Sequence, residues 1–404
     1  MAQRQFRSDD TSKWLEGFGN GLDGDLVISS NTTEAPIDAS CTGTAGTNTL
    51  SATNASFAAG QLIIIHKTRG NTTTAAGNWE LNKIASYVAG TITTTYPLIN
   101  TYNDSGADQS QVRVMKQYNN VTINNGITYT AKSWNKDVGG ILAFFAKGTV
   151  QGATAGVINL NGNNASADGS GASGGASVVG VGFQGGNGYQ GQAQAQAGEG
   201  TAGDLVQQLG ANGNGGGGSK ANTGTNAGAA GAGGGNGTVG ANGKCTAGNC
   251  GSNGTGGSAV GSASLVTMDL GGGGGGGGNG ATEGNGANGG GSGAGIALII
   301  AQNIDLSSLT INSKGGTGST GFRGGGGGAG GSVLLKCKTA TLGTNKIVAT
   351  GGNAGGNSTA GGDGRVHIDY KTSYTGTTNP TLDATQDSSL DYPSTGGQFL
   401  YNFI

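Results

Sequence analysis

The carboxylates, histidines and cysteines are the residues that could do chemistry, and their spacing argues against it. Glycan-cleaving enzymes on elongated β-scaffolds need two facing carboxylates. The chain has 22 Asp and Glu, thinly spread, with Asp23/Asp25, Asp104/Asp108 and Asp363/Asp369 among the closest pairs. Most of these lie beside Gly or Asn, where an aspartate commonly closes an Asx-turn. No catalytic residue is assigned, and an enzyme is not expected. His66 and His367 sit in strand-like runs and read as packed or edge histidines. Cys245 and Cys250 are separated by four residues in a Gly/Asn loop, while Cys41 and Cys337 stand alone. One C-x4-C pair with no second pair is poor zinc chemistry. A local Cys245–Cys250 disulfide, or two free thiols, is expected, and no metal or cofactor. G-x-G-x-x-G matches arise from composition, without a strand-to-helix context or a P-loop lysine.

Charge narrows the partners. Net charge is −2 and charged residues make up 10% of the chain. There is no basic field for nucleic acid or an anionic membrane. Apolar runs such as Ile296–Ala301 are far too short to span a bilayer, so no membrane insertion is expected. The N-terminal residues carry no apolar secretory h-region. Work outside a cell would then mean leaving it within a virion or by an unusual route.

The elements that position everything else are glycine and short strands. Glycine contributes 90 of 404 residues, including eight in a row at Gly271–Gly278. Residues 1–24 read as an attachment arm with Trp14 in a single helical turn. Residues 25–118 hold β-branched and aromatic runs bounded by turn residues, and a small antiparallel barrel or sandwich is their natural packing. From 119 to 370 a unit recurs. Gly140–Lys147 with Gly156–Gly162, Gly295–Gln302 with Ser308–Gly315, and Ser332–Lys338 with Lys346–Gly351 each read strand, turn, strand, glycine excursion. Gly364–Tyr370 is a truncated copy. Units that cannot bury a face alone must stack, which predicts a β-solenoid-like layer with all its excursions on one side. The long excursion spans 163–294. Residues 371–404 form a C-terminal extension ending in an apolar strand. The fold class is therefore all-β.

Glycines keep a three-residue step at Gly237, Gly240, Gly243 and again at Gly248, Gly251, Gly254, Gly257. Polyproline II geometry has that period and no internal hydrogen bonds. A bundle of polyglycine II helices would satisfy the amides between neighbours. Ordering a glycine costs roughly 0.5–1 kcal/mol relative to alanine, close to the net ~1 kcal/mol of one hydrogen bond. The ends therefore need clamps, and 176–183 and 263–270 are suitable apolar caps. Collagen is excluded, since there are only four prolines and no strict Gly-x-y repeat.

Side chains that interrupt the glycine pattern are the binding candidates: Phe183, Tyr189 and Gln190, then Gln207 and Gln208, then Phe322 and Arg323. Aromatic and amide groups on loops suit stacking on sugars and bonding to hydroxyls. The same residues could merely fold the arm back on itself. Trp14 and the terminal Phe399, Leu400, Tyr401 and Phe403 are candidates for assembly, the latter as a donated strand.

The alternation of short β-segments with glycine blocks at 215–218, 271–278 and 324–328 resembles the tail-tip adhesins of T-even-like bacteriophages. It is also similar to glycine-rich bacterial surface proteins. The resemblance covers about 120–370 and implies a polyglycine II receptor-binding domain with contacts made by tip loops. The expectation is an extracellular or virion structural protein. It would bind a cell-surface glycan or outer-membrane receptor and assemble with itself or other virion subunits as a homo-oligomer. The rival expectations are a subunit of a self-assembling fibre and an ice-binding face. Sequons at Asn31, Asn71, Asn236 and Asn357 follow from Asn/Thr richness and matter only if glycosylation machinery meets the chain.

Overall fold

In a computed structural model the described residues are 17–70, 76–165, 176, 178–190, 194–221, 228–245, 251–279, 288–319, 324–353 and 359–390. They are all-β, with one 3-10 turn at Ser388–Leu390 and no α-helix among them. In chain order the strands begin with β1 (Leu26–Ile28), β2 (Thr32–Thr33), β3 (Asp38–Ser40), β4 (Thr42–Gly43) and β5 (Thr49–Ser51). Next come β6 (Leu62–Arg69), β7 (Trp79–Val88), β8 (Thr91–Thr94), β9 (Gln109–Tyr118), β10 (Val121–Ile123) and β11 (Thr128–Thr130). They continue with β12 (Ile141–Gly152), β13 (Gly156–Asn159), β14 (Tyr189–Gln190), β15 (Gln196–Ala197), β16 (Val206–Gln207) and β17 (Gly278–Asn279). The last are β18 (Ile296–Asp305), β19 (Leu309–Asn312), β20 (Ser332–Val348), β21 (Arg365–Asn379) and β22 (Asp383–Gln386).

Two packing systems share this chain. The first is parallel. Strands β1, β10, β12, β18, β20 and β21 pair successively in register, so that Leu26, Val121, Val150, Ile304, Ala340 and Tyr374 form one ladder. A second ladder runs β2–β11–β13–β19 and on to the end of β20. Alternate side chains such as Phe144, Ile299, Leu335 and Ile368 stack in a common core between the ladders. The other face of β12 and β18, from Ile141 and Phe145 to Ile296 and Ile300, is also buried. Burial on both faces is why these strands read as unbroken apolar runs.

The second system is antiparallel, in the order β3–β9–β6–β7–β8–β5–β4. One of its faces encloses Leu50, Ile63, Ile65, Ile92 and Val112. Its other face sends Leu62, Ile64, Trp79 and Met115 against the outer side of β12 and β18. Strand β9 belongs to both systems, because Lys116–Tyr118 pairs parallel with Phe144–Ala146.

The expected boundaries move. Residues 26–33 do not join the antiparallel module: β1 and β2 pair with β10 and β11, and Ile28 packs with Val121 and Ile123, whereas Ile37 bonds to Val114 of β9 and packs on the antiparallel core. A boundary at 370/371 falls inside β21, which continues to Asn379 along β20. The glycine excursions begin where β13, β19 and the end of β20 finish side by side, so they leave the stack together.

Candidate functional site

The glycine excursions meet around Gly271–Gly278, which is buried throughout. Its N–H groups turn to three neighbours in strict rotation. Gly271, Gly274 and Gly277 donate to the carbonyls of Ala294, Gly291 and Asn288; Gly272, Gly275 and Gly278 to those of Gly235, Ala232 and Ala229; Gly273 and Gly276 to those of Glu199 and Gln196, all at 2.8–3.1 Å. Its carbonyls rotate likewise among three further segments. Phe183, Gly186 and Tyr189 donate to Gly271, Gly274 and Gly277; Ala329 and Gly326 to Gly272 and Gly275; Gly216 and Ser219 to Gly273 and Gly276, at 2.8–3.2 Å. One run is thus bonded to six surrounding segments with a three-residue period.

Why glycine is needed here is steric. None of Gly271–Gly278 has a positive φ, so any L-residue could adopt the backbone. A Cβ built on Gly274, however, overlaps the Gly326 carbonyl, one on Gly275 the Gly217 carbonyl, and one on Gly276 the Asn187 carbonyl. Backbone is what lies in the way, and it has no rotamer to yield.

Side chains clamp the end nearest the stack. Glu199 is fully buried and accepts from the Arg69 guanidinium at 3.0 Å, the Trp134 indole N–H at 2.8 Å and the Gln184 N–H at 3.1 Å. Burial pushes its carboxyl above the usual range, against the lowering pull of Arg69 and Trp134. Trp134 meets the Phe183 ring edge-on at 6.0 Å. Asn214 and Asn236 donate to the carbonyls of Leu270 and Gly330, each at 2.8 Å. His66, held down to about 4 by burial against the raising effect of its bond to the Met268 carbonyl, is neutral and lies 2.8 Å from that oxygen. Leu265, Met268 and Leu270 pack into the apolar layer beneath.

The sequence-derived binding residues fall in different places. Phe183 is corrected: it is fully buried against Trp134 and forms part of the clamp, because its own N–H is the first rung of the Gly271 contact. Tyr189 is 39% exposed at the far end of the same arm, with Gln190 beside it in β14, paired to Gly278–Asn279. Gln207 is exposed on β16 opposite Gln196, whose N–H donates to Asn187 in the Tyr189 arm. Gln208 is half-buried and its amide donates to the Ala211 carbonyl at 3.2 Å. Phe322 and Arg323 lie outside the described residues, as do Trp14, Phe399, Leu400, Tyr401 and Phe403.

Cys245 is disulfide-bonded, while Cys41 and Cys337 are buried free thiols; Cys250 lies outside the described residues. The paired carboxylates are committed to local structure. Asp23 accepts from Lys116 and from the Gln117 N–H, and Asp25 from Asn119 and Asn120. Asp363 accepts from the Gly351 N–H, and Asp369 from Lys336 and His367. Among the described residues no group of three His, Cys, Asp or Glu could hold a metal ion, and no helix is long and apolar enough to cross a membrane. No family model, curated protein or solved structure matches the chain.

Proposed function

We propose that this chain is a non-enzymatic structural protein of a virion or cell surface, a receptor-binding adhesin whose polyglycine II bundle holds contact loops rigidly away from a β-solenoid. The observation that carries the reading is the six-fold surround of Gly271–Gly278 with its period of three. That is the pattern expected of three-residue-per-turn helices packed in a lattice. The antiparallel strand order begins with β3 and ends with β4, strands adjacent in the chain, which suits closure into a small barrel. Tyr189, Lys220, Asn279 and Asn288 lie at the lattice end remote from the Phe183 and Glu199 clamp.

A scaffold of this kind serves display. Its side-chain-free interior does no chemistry, and only its turns vary freely. The partner is a cell-surface glycan or outer-membrane protein, met by Tyr189, Gln190, Gln207, Phe322 and Arg323. The test is binding of labelled protein to a panel of Gram-negative bacteria, with a Tyr189→Ser/Gln207→Ala/Phe322→Ser variant alongside. Binding by the native chain, lost in the variant at unchanged melting temperature, is the expected result. Equal binding by both would remove the turns from the role.

A further inference from the structure

Beside the lattice, where the stack passes into the glycine arms, a groove of about 660 Å³ opens, a size suited to a small ligand. Its walls come from three segments leaving β13, β19 and β20: Asn161–Asn164, Lys314–Thr317 and Thr350–Asn353. They lie side by side. Gly162 N–H donates to the Lys314 carbonyl at 2.8 Å, Gly315 N–H to that of Thr350 at 2.9 Å, and Ala165 N–H to that of Thr317 at 2.9 Å. With a three-residue turn, positions three apart face the same way. Asn161, Lys314 and Thr350 form one row across the segments, and Asn164, Thr317 and Asn353 a second. Between the rows the floor is largely bare backbone, including Gly162, Gly315, Gly351 and Gly352.

The amides in this groove are already oriented. Asn161 Oδ1 accepts from the Lys314 N–H and Asn164 Oδ1 from the Thr317 N–H, both at 2.8 Å. Each bond fixes the amide plane and leaves the Nδ2 donors of Asn161 and Asn164 with no partner among the described residues. Lys314 Nζ likewise has no carboxylate partner among them, and among the described residues no acidic side chain lines the groove. Asp363, bonded to the floor through the Gly351 N–H, is outside the lining. Among the described residues the offered chemistry is therefore a set of amide N–H donors, two threonine hydroxyls and one cation without a carboxylate partner, with no aromatic platform.

We infer that this groove binds an acidic saccharide: a hydroxyl-rich chain bearing a carboxylate, its anionic group on Lys314 and its hydroxyls along the two rows. The rungs repeat in parallel at β-spacing, so a polymer can repeat its contacts across them and gain by multivalency. The site is independent of Tyr189 and Gln207.

Titration calorimetry with oligogalacturonate as the probe, and neutral dextran oligomers and inorganic phosphate as controls, tests the assignment. Asn164→Asp preserves the acceptor for the Thr317 N–H while replacing a donor by a negative charge, and Lys314→Ala removes the cation. Oligogalacturonate should bind more tightly than dextran or phosphate. Each substitution should weaken it by about tenfold or more, the scale of one charged hydrogen bond, at unchanged melting temperature. Binding no tighter than either control, or binding indifferent to both substitutions, overturns the inference. Should Asn164→Asp lower the melting temperature, Lys314→Ala decides alone. Bacterial adsorption that survives loss of the groove leaves the display reading intact, so the two can fail separately.

Discussion

Leu335 and Gly274 are both buried, yet they hold the molecule together by opposite means. Around Leu335 the stack is a conventional apolar core, with Phe144, Ile299 and Ile368 on neighbouring strands of the same ladder. Around Gly274 no side chain takes part, and stability comes from main-chain N–H groups answered by carbonyls of other segments. Adding atoms is tolerated in neither, but removing them is harmful only in the first. The comparison shows that close packing can be reached with side chains or by deleting them.

The largest expected effect inverts the usual core experiment. Leu335→Ala should destabilise by about 2–5 kcal/mol, as measured by denaturant unfolding. Gly274→Ala adds a single methyl and should do at least as much damage, because its Cβ overlaps the Gly326 carbonyl. Hydrogen exchange would show where the damage lies. The amides of Gly271–Gly278 should be strongly protected in the native chain and lose that protection in Gly274→Ala. Free exchange in the native chain would sink the lattice itself.

Next in size is the clamp between the two regions. Glu199→Ala leaves the Arg69 guanidinium buried without its partner, a loss of about 3–5 kcal/mol. Glu199→Gln keeps an acceptor for Trp134 and should cost less. Chemical denaturation of the two variants side by side reads the difference, and equal losses would mean that the acceptor for Trp134 is immaterial and the lost charge beside Arg69 accounts for the whole effect.

Asp269 offers a pH-dependent probe of the same junction. It is buried against Gly77, with Oδ1 unpartnered, and burial, only partly opposed by Arg365, raises its carboxyl to about 7. A raised native value means that the group favours folding when protonated, and this contribution fades as pH climbs from about 4 to about 7. Above that range the penalty is on the order of a few kcal/mol. Asp269→Asn should melt progressively higher than the native chain across that interval, and by a constant margin beyond it. A margin independent of pH would show that Asp269 does not titrate there.

The smallest effect is expected at the surface. Gln207→Ala should change stability by less than about 0.5 kcal/mol, since its side chain is exposed.

How much of this could be read beforehand differs between the regions. The repeated Gly-then-apolar runs at 141, 296 and 332 carry enough local pattern to announce parallel strands, and their register follows from aligning them. Leu26–Ile28 carries no such mark: its partner, Val121, lies far along the chain, and an isolated three-residue apolar run fits either sheet. The three-residue glycine step was legible, whereas the identity of each arm's neighbours was not, because glycine offers no side chain to specify a partner. Phe183 ends the apolar cap expected over 176–183 and is also a binding candidate by sequence; the structure keeps the cap and buries the side chain away from any binding surface. The apolar residues just before it, Val178, Val179 and Val181, were the signal that it caps a core. Glu199 gave less warning. It is a carboxylate flanked by Gly198 and Gly200, and its complement Arg69 sits 130 positions earlier.

The rotation of contacts along Gly271–Gly278 also constrains how such a chain can change length. Inserting one residue into an arm would turn every later amide by a third of a revolution and aim it at the wrong neighbour. Inserting three would restore all pairings and simply extend the arm. Growth or shrinkage by triplets is thus register-neutral, so the length of the lattice can be altered in discrete steps while the anchoring stack stays as it is.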